Sequence, residues 1–300
     1  ETNPGHGHAI GRAVSFLQRQ PRNFRVIVGR MAFSSFLIGL TSPYESIYVV
    51  ALGASSAELG LVNSIGNAAS TLIAAPAGWL VNRFGIRRYF LSGLALLALA
   101  MLIYAAAPAW AWIAGAMLLT NIGLRLSGTA CGVTCAASLQ NAERGTGMGL
   151  CNTLYSGAGM VAPLLAAVLV TSFGGVHVAG LRPLYLVRFV GTLLLLGMMA
   201  WLLRDLPDLG RSSTPRFSLR QDMAELFSGR APLKRWIVIS FLGWLPTAMT
   251  GPFVLLYAHE IKGADAYILG LMGSAITASG LVMSIPLGRL ADRVGRKKVL

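Results

Sequence analysis

The chain has 300 residues, 55% of them hydrophobic and only 12% charged, with a formal net charge of +14 and a mean hydropathy of +0.64. A soluble domain carries about 25% charged residues, so this composition excludes an ordinary water-soluble exterior and points to a chain whose outer face meets lipid. The positive charge does not indicate nucleic acid. Its arginines and lysines fall in short loops between apolar runs and form no basic face or aromatic-interleaved patch.

In chain order, residues 1–25 read as a polar tail carrying Arg12, Arg19 and Arg22. The tail lacks the short apolar core of a signal peptide, so the first span is expected to serve as its own insertion signal. His6 and His8 lie in this tail and are most simply solvated. Crossing the hydrocarbon core takes about 20 apolar residues, and eight stretches qualify: 26–52, 57–81, 88–107, 110–138, 146–172, 182–203, 234–258 and 265–290. A polar loop over 204–233 separates the sixth from the seventh and contains a stretch, from Ser218 through Phe227, that suits a short surface helix. Cys131, Cys135 and Cys151 all sit in apolar segments beside small residues, which suits helix packing better than disulfides or a metal.

Positive charge sets orientation. With a cytoplasmic amino terminus, 21 of the 25 Lys and Arg residues fall on the inside. Arg182 and Lys262 fall outside, and Arg125 and Arg188 fall within spans.

The chain repeats itself. Residues 53–88 and 263–298 match at a constant offset of 210, with 12 of 36 positions identical, and Pro43 and Tyr48 answer Pro252 and Tyr257 at an offset of 209. Both copies are expected to run from outside to inside, so the repeats are parallel. The first half, 26–203, holds six spans, and 234–300 holds the first two of a second half. An equal second half would need four more helices, so the expectation is a fragment of a twelve-helix, six-plus-six protein.

Each copy ends in a dense motif. Gly78, Asn82, Arg83, Gly85, Arg87 and Arg88 mark the first, and Gly288, Asp292, Arg293, Gly295 and Arg296 the second. Gly78 and Gly288 allow close helix approach, Gly85 and Gly295 allow a sharp turn, and the basic residues suit anionic headgroups. The pair of motifs resembles the G-x-L-a-D-r-x-G-r-r signature of the major facilitator superfamily, placed after the second and the eighth helix as in that family. The resemblance implies an all-α helical bundle, secondary transport, and a cytoplasmic latch that holds an outward-facing state. Asp292 fits the acidic position of that latch. Asn82 replaces it in the first copy with a group that hydrogen-bonds but carries no charge.

A charge deep in a membrane is expensive and is read as functional by default. Glu45 lies eight residues before Gly53, or roughly 12 Å below the outer turn. It is a candidate proton carrier or partner for a cationic solute; a locally paired carboxylate is the alternative. Arg125 lies fifteen residues past Trp110, roughly 22 Å deep at the helical rise. It would bind an anion or bias a neighbouring acid, and a structural hydrogen-bonding role is the alternative. Its position resembles the fourth-helix arginine of family antiporters. The fifth helix carries Gly157, Gly159 and Ala162-Pro163-Leu-Leu-Ala166-Ala167, a softened version of the antiporter G-P-x-x-G-G, which leans towards export.

The expected function is therefore secondary transport of a small organic solute by alternating access, with proton-coupled efflux as its sharper form. An uptake permease and a non-transporting receptor on the same fold are the alternatives. The expected pathway comprises Tyr44, Glu45, Tyr48, Asn121, Arg125 and Tyr257. The expected partners are a small-molecule substrate, protons and the lipid bilayer of the cell membrane, with the chain acting as a monomer. No cofactor, metal or nucleic acid is expected. No catalytic residue is expected either, since the spans contain no nucleophile–base pair and the chain no Walker-type G-x-x-x-x-G-K-[ST].

Overall fold

A computed structural model describes residues 15–138, 144–203 and 231–294. These residues form helices and short turns, with no strand among them. Lipid leaves backbone N–H and C=O groups no outside partner, and a helix satisfies them within one segment. The helices are Arg22–Thr41 and Glu45–Ala51, joined by a 3-10 turn over Ser42–Tyr44, then Ser56–Phe84, Ile86–Ala106, Trp110–Ser138, Arg144–Ser172, Val178–Leu202, Ala231–Glu260 and Ala266–Val294. The first two together make the first span, and the rest are the second to eighth. The surface helix expected through Phe227 lies outside the described residues.

The first span carries a 3-10 turn at Ser42–Tyr44, where Pro43 offers no N–H to the carbonyl four residues back. Six spans are long and apolar enough to cross a membrane on the described residues alone. The second and fourth helices, each 29 residues long, are not among those six on their described residues. Asn63, Asn67 and Ser70 recur along one, and Thr120, Asn121 and Arg125 along the other.

Contacts gather the helices into two compact groups. In one, the fifth helix packs against the first segment of the first helix, the sixth helix and the eighth. Small residues set this packing. A Cβ on Gly39 would meet Ala162 at 2.8 Å, and one on Gly159 would meet the Ser35 hydroxyl at 2.7 Å. On the eighth helix, a Cβ at Gly270 would meet the Pro163 carbonyl at 2.7 Å, and one at Gly273 would meet Pro43 at 2.9 Å. Between helices in lipid, such closeness provides the van der Waals attraction that the hydrophobic effect cannot. Ala162, Ala166, Ala167 and Val170 are accordingly wholly buried.

The other group holds the remainder of the first helix, the second, third and most of the fourth, and the seventh. Its core is aromatic, with Tyr44, Tyr48, Phe90 and Tyr104 buried beside Leu59, Leu94, Met101 and Ile113. The third and fourth helices close through paired glycines: a Cβ on Gly123 would meet the Gly93 carbonyl at 2.8 Å. This grouping by contact cuts across the repeat, whose copies follow chain order.

Candidate functional site: a polar seam in the second and fourth helices and a carboxylate at a helix break

The second and fourth helices meet through polar side chains one turn apart. A Cβ on Gly66 would meet the Asn121 amide nitrogen at 2.6 Å, so only glycine leaves room for that side chain. Asn121 Nδ2 donates to the Met117 carbonyl at 2.9 Å. One turn on, Arg125 Nε donates to Ser70 Oγ at 2.6 Å. Both pairs share the same residue offset, so the two helices run parallel, as even-numbered spans of one topology must. Ser70 is buried, whereas Arg125 is exposed from the protein surface.

Glu45 opens the second segment of the first helix, immediately after the break. It is half-buried, and Tyr104 of the third helix donates its hydroxyl to Glu45 Oε1 at 2.7 Å. Tyr48, one turn later, donates to the Tyr104 backbone carbonyl at 2.8 Å. The carboxylate is thus tethered by a buried phenol whose own helix is gripped by a second buried phenol. Tyr44 and Tyr48 are both 0% exposed, so they wall and orient this cluster rather than face open space.

The pathway residues therefore separate into three places. Glu45, with Tyr44 and Tyr48, gathers about Tyr104; Asn121 and Arg125 line the second helix; Tyr257 stands 53% exposed near the end of the seventh helix. Lys262 Nζ lies 5.9 Å from the Tyr257 ring centroid, at the edge of cation–π range.

Gly85 carries the first motif's turn. Its φ of +81° lies in the region that favours glycine, where it caps the third helix. Arg87 is half-buried and Arg88 exposed at the start of that helix. Gly78, Asn82 and Arg83 fall on the last turns of the second helix, and Gly288, Asp292 and Arg293 on those of the eighth. The side chains of these six, together with Gly295 and Arg296, lie outside the described residues.

Tyr104 and Ser70 make these polar contacts, and between the first and sixth helices Arg188 Nη1 donates to the Thr41 hydroxyl; none of the four was among the pathway residues expected from sequence. Tyr104 ends an apolar helix and Ser70 resembles any small helix residue, so neither carried a signal. Arg188 did carry one: a charge inside a span.

The chain matches the model of the Major Facilitator Superfamily over residues 29–300. It is 25% identical over 276 residues to a multi-drug resistance efflux pump PmrA homolog of Lactococcus lactis, covering 89% of this chain and 65% of that protein. It is 24% identical over 270 residues to the multidrug resistance protein MdtG of a Rahnella strain, covering 87% of this chain and 63% of that protein. The chain thus spans less than two thirds of the length of these relatives. Among solved structures, the nucleoside transporter NupG superposes with a TM-score of 0.76 at 15% identity, over 92% of this chain and 70% of that one. A bacterial homolog of the human lysosomal transporter Spinster superposes with a TM-score of 0.69 at 12% identity, over 99% of this chain and 64% of that one. At such identities the structural likeness establishes the fold. The chain belongs to the Major Facilitator Superfamily, a family of multi-pass membrane transporters.

Proposed function

We propose that the protein is a secondary transporter that moves a small organic solute by alternating access, and that its working direction is proton-coupled efflux. The observation that carries this reading is the Ser70–Arg125 contact at 2.6 Å. It ties a permanent cation of the fourth helix, one turn from Asn121, to the second helix. Aromatic and amide groups with one fixed charge suit an organic solute better than a bare ion. Export is supported by the efflux names of the relatives and by the Pro163 segment of the fifth helix, packed against its neighbours at Gly39 and Gly270. The solute path is assigned to Glu45, Asn121, Arg125 and Tyr257, with Tyr44 and Tyr48 behind the acid.

Proton coupling is assigned to Glu45, the acid within the first span, whose Oε1 accepts the Tyr104 hydroxyl. In this reading two six-helix halves, the first being 26–203, rock about a site near the midplane. Asp292 with the motif arginines latches the cytoplasmic side, and Asn82 makes the first-copy latch the weaker. The amino terminus lies in the cytoplasm, by the loop charges, and the protein works as a monomer.

The test is flux of ethidium and of an anionic dye from proteoliposomes holding the complete protein, driven by an imposed pH gradient. Glu45→Gln should abolish the pH dependence, and Arg125→Ala should reduce flux at least tenfold. A Glu45→Gln protein that transports with unchanged pH dependence would refute the proton assignment. Absence of flux for every dye tried would favour the receptor reading.

A further inference from the structure

Arg188 lies ten residues into the 25-residue sixth helix, roughly 15 Å from its start at the helical rise. It is 6% exposed, and its Nη1 donates to the hydroxyl of Thr41, which is 0% exposed. A guanidinium cannot shed its charge, so in a membrane it persists only where the protein compensates it. Thr41 is the last residue of the first helical segment, and its Oγ1 in turn donates to the Ile38 carbonyl at 3.4 Å. The cation therefore sits at a helix carboxyl end, where the aligned peptide dipoles leave partial negative charge. The two helices are pressed together here. A Cβ on Gly191 would meet Leu37 at 2.5 Å, a register antiparallel with Thr41–Arg188.

The repeat supplies an internal control. Thr41-Ser42-Pro43 in the first helix answers Thr250-Gly251-Pro252 in the seventh, with Tyr48 and Tyr257 following at the same spacing. The first helix breaks into a 3-10 turn at Ser42–Tyr44, whereas Ala231–Glu260 runs on as α-helix through both Pro246 and Pro252. Proline alone therefore does not decide the break. The threonines differ too: Thr41 receives a hydrogen bond from Arg188, while Thr250 is exposed and donates to the Pro246 carbonyl at 2.9 Å.

We propose that Arg188 is a positioning residue: its charge, delivered through Thr41, holds the first helix broken at Ser42–Tyr44 and so sets where Glu45 starts its helical segment. The bearing of this on transport rests on the pathway role of Glu45 proposed above; the hold on the break does not. The break ends one segment on a buried cation and opens the next with an acid, one 3-10 turn apart in the chain. A helix continuous through this point, as in the seventh, would carry the Glu45 side chain to a different angle about the axis.

The test is hydrogen–deuterium exchange of the complete protein in lipid nanodiscs, comparing peptides across residues 38–48 with the equivalent peptides across 247–257. In Arg188→Met the first set should exchange about tenfold faster, the effect of losing one charge-assisted hydrogen bond at a buried helix end. The second set should be unchanged. Arg188→Lys, which keeps the charge, should restore exchange to within about threefold of the parent. Thr41→Val, which keeps the shape and removes the acceptor, should loosen the same peptides even if Arg188→Met does not fold. Exchange across 38–48 that stays at the parental rate in Thr41→Val would overturn the proposal. So would loosening shared equally by both sets of peptides. The measurement needs no solute, so loss of the proton assignment at Glu45 leaves it intact.

Discussion

The two copies of the repeat enter the membrane through nearly the same turn and then part company. In both, a glycine of positive φ starts the turn, Gly53 at +95° and Gly263 at +67°. The next residue, Ala54 or Ala264, is buried in each, and so is the apolar residue five further on, Leu59 or Leu269. Each second member of the pair begins with an N-cap, but the chemistry differs. Ser55 and Glu58 form a reciprocal capping box, with the Ser55 N–H donating to Glu58 Oε2 at 2.7 Å and the Glu58 N–H to Ser55 Oγ at 3.3 Å. Asp265 instead accepts the Ile268 N–H at 2.9 Å, and His259 Nδ1 donates to the Ala264 carbonyl at 2.8 Å. A turn is dictated by its own few residues, so two diverged sequences can keep it.

What surrounds the turn is not kept. Tyr48 is wholly buried and donates to Tyr104 of the third helix, while Tyr257 is 53% exposed, with Lys262 Nζ 5.9 Å from its ring centroid. Gly60 has Phe253 as its nearest neighbour, at 3.7 Å from a would-be Cβ, while its counterpart Gly270 is jammed against Pro163 and Ala167. The lesson is that a repeat conserves local geometry and reassigns packing, because each copy meets different helices.

The largest break of this comparison should come at the tyrosines. Tyr48→Ala is expected to destabilise the protein by about 3–5 kcal/mol, as for other buried aromatics, and Tyr257→Ala by no more than about 0.5 kcal/mol. Thermal unfolding of the purified protein in detergent measures both, and equal losses would show that burial does not separate the copies. Next come the glycines. Gly270→Ala should cost about 1–3 kcal/mol by overpacking, whereas Gly60→Ala, whose new methyl would make only an ordinary contact with Phe253 and improve helix propensity, should gain up to about 1 kcal/mol. The same melting series decides their opposite signs. The smallest effect tests what the copies share: Ser55→Ala and Asp265→Ala should each cost about 1 kcal/mol. Faster amide exchange confined to the first turn of the second or eighth helix would register each loss separately.

Much of this was legible before any coordinates. The eight long helices fall within a few residues of the apolar stretches, because length and hydropathy answer directly to bilayer thickness. Gly85 was singled out for a turn and carries one. Glu45 and Arg125 stood out as charges inside spans, and each has a specific hydrogen-bonding partner on another helix. The partners themselves were not legible. Tyr104 is 59 residues from Glu45, Ser70 is 55 from Arg125 and Thr41 is 147 from Arg188, and nothing in a local pattern couples positions so far apart.

The break at Ser42–Tyr44 shows where that division falls. By itself the sequence determined that the chain crosses a membrane repeatedly, that it contains a parallel repeat, and that a tight turn falls at Gly85. Those properties depend on residue chemistry summed over one helix or one turn. Only the tertiary structure showed that one Thr-x-Pro carries a 3-10 turn while the other runs on as α-helix, and that the first of these threonines receives a hydrogen bond from Arg188 of another helix. Proline removes a donor wherever it stands; whether the helix then opens depends on what else is there to meet the carbonyls it leaves behind.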